Sequence, residues 1–392
     1  MKQEDLVLST LKYSWHEING KPHLIAYHLP DGEICHCIME YIYYLSMQCD
    51  LNARTIKNEA LYLKKFIEFL PESDLLLVND VLLKQFRDHE LALTRNRKNS
   101  SGDLLRAQRS VNIGLRRIYK FLTWSSQNGW LPAHYIGEYD SKITVLERDR
   151  NRRRSQSQQT FPLLFKRSGS AGTTNGRYFA TDEDKSQMEK YFRENCTEFT
   201  YARNILFMEI ANAVGWRRGA INSLLCAQFE SISINDKVLK IRPASQKFGY
   251  QYTFDVGVNL AAKIRFFIHN FRKAYFLEMG WDDACANDRI FTSARDGLPL
   301  TDQAISQIFG AAFKAIGAPR GAGLHSFRRK FTDERVESEI RGRLRLGLDT
   351  SVASVAASVA ILLGHSNPES VNAYVERAHA RLLERGVDSS DL

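Results

Sequence analysis

The chain reads as a mainly α-helical protein with a small antiparallel β-sheet, arranged in two principal domains. Three observations carry this. Apolar residues recur at helical spacing over most of the 392 residues, β-prone runs are confined to two short stretches, and an Arg-, Ser- and Gly-rich segment separates two helical blocks. Hydrophobic residues at 44% and charged residues at 25% are ordinary for a globular chain of this length, so each half can bury a core.

Residues 1–37 alternate like strands. Tyr13–Ile18 and His23–Tyr27 flank Asn19-Gly20, a strong short-range hairpin signal, and a second turn follows at Pro30-Asp31-Gly32. Residues 38–136 form the first helical domain. Ile56, Leu63, Phe66, Ile67 and Leu70 share one helix face, and Pro71 ends that helix. From Leu104 to Trp124, Val111, Leu115, Ile118 and Leu122 form an apolar stripe, which sets Arg106, Arg109, Arg116, Arg117 and Lys120 on the opposite side.

Residues 137–180 read as a linker. Arg148, Arg150, Arg152, Arg153 and Arg154 precede Ser155–Gln159, and residues 168–176 are rich in Ser, Gly and Thr. The second domain, 181–392, opens at Thr181-Asp182-Glu183-Asp184, a helix N-terminus with acids in its first turn. Helices follow through Val214 and over 218–225. Three β-prone runs come next, at 229–234, 238–241 and 251–256, and helices are expected over 259–279, 302–316, 326–339, 351–363 and 368–383.

Fifty-four Lys and Arg against forty-five Asp and Glu leave a formal charge of +9, which favours a polyanionic partner. The Arg106-to-Lys120 face has no acid within its stripe and an apolar back, so it suits a phosphate backbone better than a merely solvated helix face does. The linker arginines, Arg152, Arg153 and Arg154 among them, are either solvated spacer charges or a second backbone contact. Six scattered cysteines, an N-terminus without a basic-then-apolar leader, and no apolar run near the roughly 20 residues needed to cross a bilayer point to a reducing, cytoplasmic setting without a membrane partner. Cys35-His36-Cys37 lacks the spacing and second pair of a zinc site and reads as a half-buried strand or helix start, so no metal is expected.

Chemistry-bearing residues concentrate in the second domain. Arg217 stands in Val214-Gly215-Trp216-Arg217-Arg218, with Arg218 as its competitor for register. Lys247 lies between two β-prone runs, with Lys240 nearby. His325 and Arg328 are three apart on one helix face, His365 follows Leu363-Gly364, and Tyr374 comes nine residues after His365, about two turns into a helix whose first turn holds Pro368. Taken singly, each has an ordinary structural reading: surface salt bridge, structural histidine, core aromatic.

As an ordered set, these positions resemble the tyrosine recombinases, the phage-integrase family, over roughly residues 38–392. The resemblance implies a C-shaped two-domain DNA clamp, with a helical core-binding domain and a catalytic domain, acting as a site-specific DNA recombinase or integrase without metal or ATP. Tyr374 would attack the scissile phosphate and leave a 3′-phosphotyrosine. Arg217 and Arg328 would hold the non-bridging oxygens, His325 would act as base or donor, His365 as a further donor, and Lys247 would protonate the leaving 5′-oxygen. The implied partners are double-stranded DNA with specific sites, three further copies in a tetramer on paired sites with weak or no association off DNA, and accessory directionality factors. In this family a C-terminal tail docks on the next subunit, and Ala380-Arg381-Leu382-Leu383 is the stretch suited to that. Ala220 departs from the acid that many members carry, the segment from Arg328 to His365 is long and adds Arg341, Arg343 and Arg345, and the N-terminal β element is a candidate accessory DNA-binding module. The alternatives are a type IB topoisomerase and a DNA-binding regulator with vestigial catalytic residues.

Overall fold

A computed structural model describes residues 10–96, 103–138, 140–146, 161–166, 178–230, 237–246, 251–364 and 367–384. The chain divides into two compact units, Met1–Gly169 and Ser170–Leu392.

In the first unit, β1 (Thr10–Ile18) and β2 (Lys21–Leu29) form the expected hairpin. Asn19 and Gly20 both take positive φ, as a two-residue turn matched to strand twist requires. The hairpin shares its core with the helices that follow: Leu11, Leu24 and Ala26 are buried, and the Tyr13 hydroxyl donates to the Ala60 carbonyl. What the sequence offers as one helical stretch is two helices, α1 (His36–Met47) and α2 (Ala53–Phe69). Asp50 at positive φ breaks the run, and Asn52 caps α2 by accepting the Thr55 N–H. Cys35-His36-Cys37 is the start of α1, with Cys37 buried against Ser125.

Helix α3 (Asp80–Asn96) has no counterpart in the sequence expectations; it seats little more than Leu83 and Phe86 fully in the core. Helix α4 (Asp103–Gln127) buries the predicted stripe of Val111, Leu115, Ile118 and Leu122. Beyond it, the short strands β3 (Ile136–Gly137) and β4 (Ile143–Thr144) pair in parallel, and Ile143 and Val145 join the same core. Residues 161–166 are likewise docked. Phe161 stacks on Tyr119 at 4.4 Å, the buried Asn112 side chain bonds both the N–H and the carbonyl of Phe165, and Arg87 lies over the Phe165 ring. Much of what is described in 137–166 is thus held by side chains of α3 and α4.

The second unit opens with α5 (Asp182–Asn195), whose Thr181 and Asp184 form a capping box at the predicted start. Helix α6 (Glu198–Val214) ends on Gly215 in the left-handed conformation, and the one-and-a-half-turn α7 (Arg218–Asn222) follows. Of the three β-prone runs, two pair antiparallel as β5 (Val238–Ile241) and β6 (Phe254–Gly257). Of the first, Phe229 closes a 3-10 turn, Cys226–Phe229, with its side chain buried, and 231–234 lie outside the described residues. Then come α8 (Val258–Phe267), a π turn at Ile268–Arg272 that carries Arg272 inward, α9 (Lys273–Glu278) and α10 (Asp302–Ala315). Last are α11 (His325–Arg345), α12 (Val352–Leu362) and α13 (Glu369–Glu384), which close a separate small-residue core around Val355, Ala356, Val371 and Ala378.

The long segment between Arg328 and His365 is folded back on itself. Arg343 bonds Glu339, the Asp349 carbonyl, Ser354 and Ser358, while Arg341 pairs with Glu337. Among the described residues no helix is long and apolar enough to cross a membrane.

Candidate active site

Arg328 lies one turn into α11 and is 5% exposed. Its guanidinium donates to the Gly215 carbonyl through Nη1 and to the Leu363 carbonyl through Nη2, the latter at 3.5 Å. One side chain therefore joins the turn that precedes Arg217 to the turn that precedes His365. Burial, then the charge of Arg217, hold the Arg328 pKa down to about 9, and Tyr374 acts in the opposite direction. Two guanidiniums and a phenol thus meet within electrostatic reach on three different helical elements.

The local sequence explains how they are presented. Gly215 adopts φ +61, and a Cβ there would overlap the Phe331 ring, so the chain can turn sharply between α6 and α7 only with glycine. That turn buries Trp216 and leaves Arg217, half-buried, as the residue flanking α7. Arg218 is committed elsewhere: it pairs with Asp302 on α10 at 2.9 Å and donates to Ser306. Of the two arginines, Arg217 is the one whose charge acts on Arg328. Asp302 also supplies a carboxylate close to this turn, where Ala220 provides none.

His325 is the first residue of α11 and is exposed, one turn ahead of Arg328. Tyr374 sits in α13 and is 8% exposed, its ring packed edge-on against Phe179 at 6.0 Å. Helix α13 begins where Asn367 accepts the Glu369 N–H at 2.8 Å. It is pinned to α11 by Arg381, which donates to both Asp333 and Glu337. The Ala380–Leu383 stretch is used in part within the chain: Arg381 is paired and Leu382 buried, while Ala380 and Leu383 are exposed.

Lys247 and His365 lie outside the described residues, but their neighbours come to the same place. Gly364, at φ +60, would bring a Cβ to 2.9 Å from Phe254, the first residue of β6. Phe254 in turn packs on Trp216 at 5.3 Å. The aromatic pair lies between the Arg217 turn and the Gly364 turn, a contact that single-residue motifs do not reveal.

In the first unit, Arg109, Arg116 and Lys120 are exposed along α4 as predicted from its periodicity. Arg117 is not free for a phosphate backbone. It pairs with Glu59 of α2 at 3.1 Å and lies over the Tyr62 ring. The acid missing from the α4 stripe comes from the neighbouring helix, where Gly114 allows the Tyr62 ring to press close. The side chain of Arg106, and Arg152, Arg153 and Arg154, lie outside the described residues. No group of three His, Cys, Asp or Glu side chains suited to a metal occurs among the described residues.

No family model matches the sequence, and no curated protein matches it. Solved structures do. One is an XerH site-specific recombinase bound to a palindromic difH substrate in a post-cleavage complex, 17% identical, with a TM-score of 0.53 over 86% of this chain and 80% of that one. Another is a lambda integrase dimer bound to a COC′ core site, 12% identical, with a TM-score of 0.52 over 90% of this chain and 78% of that one. At such identities the likeness is one of architecture: this chain shares the fold of these XerH and lambda integrase structures.

Proposed function

We propose that this protein is a site-specific DNA recombinase or integrase that breaks and rejoins strands through a 3′-phosphotyrosine on Tyr374, with neither metal nor nucleotide. The observation that carries the reading is the buried Arg328 guanidinium, tied to the Gly215 and Leu363 turns and coupled to both Arg217 and Tyr374. A buried cation with a second cation and a phenol in electrostatic reach suits in-line attack on a phosphodiester, because charge builds on the non-bridging oxygens as the phosphorus becomes five-coordinate.

In the first step the Tyr374 oxygen bonds to phosphorus and the bond to the 5′-oxygen breaks. His325 takes the phenolic proton, and Lys247 gives one to the departing oxygen, so a free 5′-hydroxyl leaves. Arg217 and Arg328 clamp the non-bridging oxygens, with His365 as a further donor. Rejoining runs the same steps backwards on a new 5′-hydroxyl. The phosphotyrosine keeps the bond energy of the phosphodiester, and no ATP is consumed.

On this reading 181–392 is the catalytic domain and 38–136 the core-binding domain. Arg109, Arg116 and Lys120 contact the DNA backbone, together with Arg106 and the Arg152–Arg154 run. Exchange takes place in a tetramer on paired sites. The test is to incubate the protein with restriction fragments of the DNA adjoining its gene, denature with detergent and map covalent adducts. The parent should give an adduct at a defined phosphate, and Tyr374→Phe should give none while melting within about 1 kcal/mol of the parent, because the packed ring is retained. An adduct that persists in the Phe variant would assign the nucleophile elsewhere.

A further inference from the structure

The residue before Lys247 and the residue five beyond it are held in an arrangement that the mechanism above does not use. Ser223, 3% exposed, closes α7 and reaches across to Ser245: its Oγ accepts the Ser245 N–H at 2.9 Å and lies 3.3 Å from the Ser245 carbonyl. It also donates to the Ala220 carbonyl at 2.8 Å, so the hydroxyl proton is shared between two acceptors. Next along the chain, the Gln246 side chain pairs with the backbone of Tyr252 as a neighbouring strand would: Nε2 donates to the carbonyl at 2.7 Å and Oε1 accepts the N–H at 3.2 Å.

Both devices act on residues that flank one short segment, of which 247–250 lie outside the described residues. The Gln246–Tyr252 pair closes the base of residues 247–251, and Ser223 ties that base to the helix that begins at Arg218. Tyr252 also touches Phe254, the residue that packs on Trp216 beside Arg217. Lysine has a long stem with many rotamers, so an ammonium can serve as proton donor to one oxygen only if its backbone is placed closely relative to the phosphate.

We propose that Ser223 and Gln246 are positioning residues for the proton donor: they fasten both ends of the segment that carries Lys247 to one another and to the helix that begins at Arg218. This rests on the recombinase reading and on Lys247 as the acid. The reaction supplies its own test. When the 5′-oxygen leaves, it must gain a proton; when a 5′-bridging sulfur takes its place, the thiolate leaves unaided, and the acid is not needed while every other group still is.

The full-length protein and its Ser223→Ala, Gln246→Ala and Lys247→Ala variants are assayed for single-turnover cleavage. The substrates are two nicked duplexes that carry the mapped site, one with a 5′-bridging oxygen and one with sulfur. Ser223→Ala and Gln246→Ala should each cleave the oxygen duplex at least about tenfold more slowly than the parent, yet cleave the sulfur duplex within about twofold of it, following Lys247→Ala in kind. Equal loss on both duplexes would mean a general structural role and would overturn the proposal, as would undiminished cleavage of the oxygen duplex. A Lys247→Ala variant slowed equally on both removes the acid, and this proposal with it. A parent that cleaves neither overturns the recombinase reading itself.

Discussion

A guanidinium that is 5% exposed and lies within electrostatic reach of a second guanidinium carries a large desolvation cost. Its depressed pKa of about 9 still leaves Arg328 protonated at neutral pH, so the folded chain carries the cost of a desolvated charge that an oxyanion would relieve. Inorganic phosphate at some tens of millimolar should therefore stabilise the protein; for a millimolar site the gain is about 2 kcal/mol, which in a unit of this size is a rise in Tm of roughly 5 °C. Arg328→Met should lose most of that rise, and an undiminished rise in calorimetry would place the anion elsewhere. At this scale the sequence singles out Arg217, Arg328 and Tyr374 by residue type and order, and the fold brings these three within electrostatic reach. Partners distant in the chain are not legible in it. Nothing in the Gly215-Trp216-Arg217-Arg218 run says that Arg218 is taken by Asp302, eighty-four residues later, or that Gly215 faces the ring of Phe331.

The elements show the same division between local and distant information. The Thr181 capping box and the Asn19-Gly20 turn are local devices and stand where the sequence places them. Helix α3 and the docked 161–166 segment depend on what they pack against, and their own periodicity is faint. Two junctions yield predictions. Gly215→Ala must put a side chain at φ +61 and into Phe331, so we expect a loss of about 3 kcal/mol in chemical denaturation and displacement of Arg217; a loss under about 1 kcal/mol would show that the α6–α7 turn relaxes freely. On α4, Arg117 and Glu59 predict a pH effect. Burial raises the Glu59 pKa, while Arg117 and then Lys120 lower it. Arg117→Ala should raise it further and destabilise the first unit by about 2 kcal/mol near neutral pH. A carboxyl whose folded pKa lies above its unfolded value contributes stability that is present at low pH and lost as pH rises through the folded pKa. The deficit of Arg117→Ala against the parent should therefore shrink as pH falls from about 7.5 to about 5; a deficit that grows on acidification would mean that Glu59 is not the group left unpaired.

For the whole molecule, the decisive question is whether strand breakage serves exchange between two DNA sites or relaxation of one. A net charge of +9 cannot distinguish them, because both activities begin with attraction to phosphate. The boundary between the two units at Gly169 and Ser170 falls in the Ser- and Gly-rich run, while assembly depends on surfaces whose partners no composition reveals. Kinetic order separates the two readings. Cleavage of a nicked duplex at a single site uses one active site and should rise in proportion to protein until the DNA is saturated. Exchange between two duplexes needs protein on every half-site at once, so its initial rate below saturation should rise with about the third or fourth power of protein concentration, as expected when separately bound copies must all be present. A relaxing enzyme needs no such assembly: one copy would remove supercoils from many plasmids in turn, in proportion to its concentration and without the mapped site. We therefore expect steep concentration dependence for exchange, first-order dependence for nicked-duplex cleavage, and no catalytic relaxation of a plasmid that lacks the site. First-order, multiple-turnover relaxation of such a plasmid, with no exchange at any concentration, would assign the same Tyr374 chemistry to topoisomerase action.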